Sequence, residues 1–148
     1  MEFGQTLEIS ASGLRAQRLR LDVVASNLAN ANSTRSADGG PYRRRSVVFR
    51  SEPLEHTFEQ TLNQRLYDRS LRVVDVAGIV KDEAPPRMMY EPTHPDADAT
   101  GYVAYPNVNV VSEMVDLMTA TRAYEANVQA IRAMRVMGEA ALRIGGQP

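Results

Sequence analysis

Cysteine and tryptophan are both missing from this chain, and lysine occurs once, as Lys81. Without thiols there is no disulfide framework and no thiolate metal site, which suits either the cytosol or an oxidising space. Aromatic residues make up only 6% of the 148 residues. That is little flat area for a large core, and it predicts an elongated single domain with at most a small second lobe. A dominant charge is lacking too: 17 basic and 18 acidic side chains leave a net charge of -1. No global attraction therefore draws the chain to nucleic acid or to an anionic membrane. No run approaches the roughly 18 apolar residues of a membrane span. Met1-Glu2-Phe3-Gly4-Gln5 has no basic stretch leading into an apolar one, so a cleaved secretory signal is not expected. By that test alone the chain stays in the cytoplasm unless another export route exists. The other basic residues are all arginine, whose planar forks suit carboxylates and interfaces, although a GC-rich genome gives the same bias.

What the chain does have is concentrated at its ends. Leu7, Leu14, Leu21 and Leu28 recur at an unbroken seven-residue spacing, while Val110, Met114, Leu117, Thr121, Tyr124, Val128 and Ile131 alternate steps of four and three. Seams of this period keep helices in contact along their length. The spacing predicts a first helix over 6–30, weakened at Gly13 by roughly 1 kcal/mol relative to Ala. Asn27, Asn30, Asn32, Ser33 and Thr34 end it by competing for backbone groups. A second helix is predicted from a cap at Asn109 or Ser112 to about Leu142, with Glu113 favouring its positive end and Gly145-Gly146 stopping it. At about 1.5 Å per residue the two would run roughly 37 Å and 50 Å.

Between them, Asp38-Gly39-Gly40-Pro41 reads as a turn, and 42–50, 71–81, 87–90 and 102–105 read as strands, the last two short and set among prolines. Over 52–69, Leu54, Phe58, Leu62 and Leu66 step by four, which fits a helical turn or two, or a loop. The fold class expected is mainly α with a small β-rich insert. Residues 1–34 plus 106–148 would form a discontinuous domain of long helices pairing as a coiled coil, and 35–105 a β-containing middle. Val111, Val115, Met118 and Val136 lie off the main seam and still need cover, worth about a kcal/mol or more apiece. That favours assembly with neighbours over a compact bundle with the middle folded back.

Candidate chemistry is sparse. Asp96-Ala97-Asp98-Ala99-Thr100-Gly101 matches the opening of an EF-hand loop, but its twelfth position is Asn107, not a bidentate Glu, and its flanks are proline-rich. An Asx-rich turn is expected there instead. His56 and His94 are the sole histidines and lie in different segments. No motif supplies either with a partner, and no G-x-S-x-G, P-loop or H-E-x-x-H is present. No catalytic residue, cofactor or metal is assigned, and an enzyme is not expected. Arg43-Arg44-Arg45 falls on an expected strand, where alternate residues face opposite ways and no aromatic platform accompanies them. A solvated or interface strand is favoured over a nucleic-acid surface. Met114, Met118, Met134 and Met137, at helical spacing, are expected to face packed neighbours.

The ends also carry recognisable motifs. Ile9-Ser10-Ala11-Ser12-Gly13-Leu14-Arg15-Ala16-Gln17, followed by Ala25-Ser26-Asn27-Leu28-Ala29-Asn30-Ala31-Asn32, resembles the N-terminal signature of bacterial flagellar rod and hook proteins. The segment from Gly101-Tyr102-Val103-Ala104-Tyr105-Pro106 to Asp116, with Thr121-Arg122-Ala123-Tyr124-Glu125-Ala126-Asn127-Val128, looks like the C-terminal hallmark of one branch. His94-Pro95-Asp96-Ala97-Asp98 and Asp38-Gly39-Gly40-Pro41-Tyr42 are similar to a rod component within it. The resemblance covers both ends closely and 52–72 least.

What the resemblance implies is a structural subunit of the basal-body rod, on its proximal side, polymerising through its terminal helices to carry motor torque across the periplasm. Another axial rod or hook component is the near alternative, and a soluble helical adaptor the distant one. The implied partners are copies of itself, other flagellar rod proteins and the flagellar type III export apparatus, with no nucleic acid, small-molecule substrate or membrane span. Export would proceed without a cleaved signal peptide, and Phe3 with Leu7 matches the F-x-x-x-apolar pattern of such substrates. Subunit packing is expected of Leu7, Leu14, Leu21, Leu28, Val110, Met114, Leu117, Tyr124, Val128 and Ile131. Asn27, Asn30, Asn107 and Asn127 are expected to act as polar locks on register.

Overall fold

The computed structural model describes residues 3–36, 39–54 and 71–145. Helix α1 spans Phe3–Ala29; strands β1 (Arg45–Pro53), β2 (Arg72–Lys81), β3 (Arg87–Tyr90) and β4 (Tyr102–Tyr105) follow, and helix α2 spans Val110–Gly145. β1 pairs with β2 and β3 with β4, giving two small antiparallel ribbons in a mainly helical chain. The stretch left open between helical turns and a loop falls largely at 55–70, outside the described residues, as does Asp38 of the expected turn. Packing divides the chain into two compact units: 1–18, 49–77 and 122–148 form the first, 19–48 and 78–121 the second.

In the first unit, α1 is tied to β2 through Ser12. Its hydroxyl donates to Ile9 O at 2.7 Å and accepts the Val74 N–H at 3.2 Å. A serine inside a helix competes for backbone groups; here it also satisfies a strand N–H, and it is buried. One residue on, a Cβ at Gly13 would stand 3.2 Å from Asn127 Nδ2. The glycine that weakens α1 therefore marks a close approach of α2. The β1–β2 ribbon is stapled on its exposed side by Arg72, which donates to Ser51 Oγ at 2.7 Å and Ser51 O at 2.8 Å, and by Arg50 between Glu52 and Asp75.

In the second unit, α1 ends at Asn30, whose backbone N–H and Nδ2 both donate to Ser26 O, while its Oδ1 accepts the Ser33 hydroxyl. Ser33 O then accepts the Tyr42 N–H at 3.0 Å, and Tyr42 is buried with Ala31 and Val108. Asn109 caps α2, its Oδ1 accepting the N–H groups of Val111 and Ser112 at 3.0 and 3.2 Å. Ser112, the other cap expected, lies inside the helix.

The β3–β4 ribbon pairs Met88 with Ala104, Met89 with Val103 and Tyr90 with Tyr102. Val103 is fully buried, whereas its partner Met89 and, on the other face, Met88, Tyr90 and Tyr102 stay exposed. Tyr90 and Tyr102 meet edge to face at 5.3 Å. The ribbon turns through Asp98, whose Oδ1 accepts from the Thr100 hydroxyl, the Thr100 N–H and the Tyr102 N–H. These donors, the Thr100 hydroxyl foremost, hold its carboxyl below the usual carboxylate range. Gly101 closes the loop at φ +83°, and a Cβ there would come within 2.8 Å of the Tyr90 ring.

Candidate functional site

The most elaborate constellation lies in the second unit, where α1 meets the start of β1 and the first turn of α2. Asn27 is fully buried, and all four of its hydrogen-bonding positions are used. Its Nδ2 donates to Arg45 O at 2.8 Å and to Glu113 Oε2 at 2.9 Å. Its Oδ1 accepts the Arg45 N–H and the Tyr42 hydroxyl, both at 2.9 Å. One side-chain amide thus pairs with both backbone groups of Arg45, as a neighbouring strand would.

Glu113 is equally buried, at 0% exposure. Its other oxygen, Oε1, accepts Arg44 Nε at 2.6 Å. Arg44 also approaches Asp116 at 3.7 Å, and Asp116 accepts Arg20 Nη2 at 2.8 Å. Two cations and two anions therefore balance. The outer pair is about a third exposed and worth little alone. Glu113 is different, because an unpaired carboxylate there would be costly. Within this unit Arg20 meets Asp116 and Asn27 meets Glu113, so the two helices run antiparallel through polar contacts.

All four hydrogen-bonding positions of Asn27 and both carboxylate oxygens of Glu113 are filled from within the chain. That makes its buried centre a lock on geometry. The aspartates of the calcium-like segment are likewise engaged: Asp96 accepts the Thr34 hydroxyl at 2.8 Å and Arg35 Nε at 2.7 Å, and Asp98 is used by its own turn.

Of the four asparagines expected to set register, only Asn27 enters the node. Asn30 caps α1. Asn107 is exposed beside a shallow concavity shared with Arg43 and Asp82. Asn127 is half-buried, donating to Ala123 O at 3.0 Å beside Gly13. Of the expected packing residues, Leu7, Val110 and Met114 are exposed; Leu14, Leu21, Leu28, Leu117, Tyr124, Val128 and Ile131 are half-buried. The side chain of Phe3 lies outside the described residues.

The most covered stripe of α2 runs instead through Glu113, Leu117, Ala120, Tyr124, Asn127, Ile131 and Met134. Sequence reasoning missed Arg44, Tyr42, Arg20 and Asp116 as members of the node. The available signal was an acid at the head of a seven-residue column; the strand expected from 42 begins only at Arg45, so alternation does not place Arg43 and Arg44.

Among the described residues ten hydrophobic residues are buried, Tyr42 of the node included, whereas seventeen large ones are exposed. On α2 alone Val110, Val111, Met114, Val115, Met118, Val136, Met137 and Leu142 are uncovered.

Two families match the chain. The one described as "Flagella basal body rod protein" matches residues 7–35, and "Flagellar basal body rod FlgEFG protein C-terminal" matches residues 99–144. Among curated proteins, the "Flagellar basal-body rod protein FlgC" of Bacillus subtilis is 44% identical over 146 residues, covering 95% of this chain and 96% of the relative. That of Borreliella burgdorferi is 41% identical over 144 residues, covering 94% and 95%. That of Salmonella typhimurium is 41% identical over 138 residues, covering 93% and 94%.

Proposed function

This chain belongs to the FlgC family of flagellar basal-body rod proteins, and from that premise we propose that its terminal helices pack against neighbouring subunits as coiled coils to build a torque-bearing proximal rod. Members are structural proteins of the rod and not enzymes. The observation that carries the packing proposal is the uncovered apolar surface of α2, set beside an intrachain contact that is polar and already satisfied. Copies of this chain and other rod proteins are its partners. Leu7, Leu14, Leu21 and Leu28, with Val110, Met114, Leu117, Tyr124, Val128 and Ile131, supply apolar contact between subunits. Asn27, Asn30, Asn107 and Asn127 help to set register. A head-to-tail contact that does not close on itself generates a filament.

The chain reaches the periplasm through the flagellar type III export apparatus without cleavage, with Phe3 and Leu7 as part of the signal. Two experiments test these readings. Leu21→Asp at native expression is expected to remove the chain from purified hook–basal bodies and abolish swimming; normal motility would refute the seam. Deleting residues 2–7 is expected to stop secretion at unchanged cytoplasmic level; undiminished secretion would refute the export signal.

A further inference from the structure

Arg43 and Arg45 flank Arg44, and both are exposed where Arg44 is half-buried. Neither guanidinium has a carboxylate partner among the described residues, whereas Arg20, Arg35, Arg44 and Arg50 each have one. Both line a concavity of about 210 Å³ with Pro41, Tyr42 and Lys81. Arg45 is held in place: Asn27 grips its backbone from both sides, and its guanidinium lies 5.8 Å from the centre of the Tyr42 ring. The Tyr42 hydroxyl is in turn fixed by Asn27. A pre-positioned fork loses less freedom on meeting a carboxylate than a free one.

From this geometry we infer that the Arg43–Arg45 concavity is a socket for an exposed carboxylate of a second copy of this chain. The charge balance favours that occupant. With 17 basic and 18 acidic residues the chain has almost no net charge, yet two guanidiniums without a carboxylate partner among the described residues line one concavity. Glu8, Asp22, Glu83 and Glu125 stand exposed elsewhere with no partner among the described residues. Complementary patches at different places on one surface form a heterologous contact, which orients and selects partners. The inference rests on the rod reading for the presence of adjacent copies.

The single native lysine makes a direct test simple. In R43K/R45K the charge is kept, and zero-length carbodiimide coupling in purified basal bodies joins a new amine to any carboxylate it touches. The expected product is a dimer-mass band of this chain alone with its amide mapped to position 43 or 45; wild type can couple there only through Lys81, which lines the same concavity. An amide to a different protein, or no amide although the chain is present in basal bodies, overturns the socket. Absence of the wild-type chain from basal bodies would instead remove the rod reading, and the socket with it. As an independent measure, R43Q/R45Q is expected to melt like wild type while forming at least tenfold fewer basal bodies; wild-type numbers would overturn the proposal.

Discussion

Within the second unit the two helices meet through Arg20 with Asp116 and Asn27 with Glu113, joined by Arg44, while away from that contact α2 presents valines and methionines to solvent. A globular protein usually arranges these the other way round. Polar contacts cost desolvation but demand one geometry; apolar faces tolerate many partners but supply most of the driving force for association. The difference teaches that specificity within the subunit is vested in the buried polar contact, leaving apolar area for contacts beyond it.

Changes on the two sides of that division are expected to differ in kind. Val111→Asp with Val115→Asp is expected to eliminate the chain from basal bodies while moving the stability of the isolated chain by no more than about 0.5 kcal/mol. Co-purification and thermal unfolding measure the two effects, and retained assembly would break the comparison. Glu113→Ala strands Arg44 and one Asn27 donor, and denaturant titration is expected to register a loss of about 3 kcal/mol.

Asn27→Asp sharpens the point. It keeps acceptors for Tyr42 and Arg45 N–H but sets oxygen against oxygen at Arg45 O and Glu113, for a loss of about 2 kcal/mol, no smaller than that of Asn27→Ala. If Asp proved milder than Ala, the donor role of Asn27 would be wrong. Ser12→Ala, which frees the Val74 N–H in the first unit, is expected to cost about 1 kcal/mol by the same titration.

The smallest effect expected is at Asp98. Its folded carboxyl sits below the usual range, so its contribution is present above that range and is lost as pH falls through it to the lower folded value. Asp98→Asn is therefore expected to flatten the acid limb of the unfolding curve slightly. An unchanged acid limb would show that the turn does not depend on the ionised group.

Much of this architecture was legible in the residues. Pro85-Pro86 and Pro106 cannot continue a ladder, so β3 and β4 end where the prolines allow, and Asn109 announced α2 because its side chain is a good cap. The strand expected over 42–50 instead begins at Arg45, so Arg43 and Arg44 lie in the segment leading into it. The node was harder to see. Glu113 reads as a surface charge favouring a helix N-terminus, and its burial depends on Arg44 arriving from a segment 69 positions away. Apolarity likewise drew attention to Met114, Thr121 and Val128, whereas Glu113, Ala120 and Asn127 are the better-covered column. Burial follows from the partners a residue meets, and those are nonlocal.

The grip of Asn27 on Arg45 has one more consequence. A strand at the edge of a two-stranded ribbon offers unpaired backbone groups to any passing chain, the usual first step towards fibrous aggregation. At Arg45 that edge is closed by a side chain occupying both the N–H and the C=O. A subunit with seventeen uncovered large apolar side chains among its described residues thus has one route to indiscriminate β-pairing blocked where β1 begins, which favours ordered addition over tangling while its proper neighbours are absent.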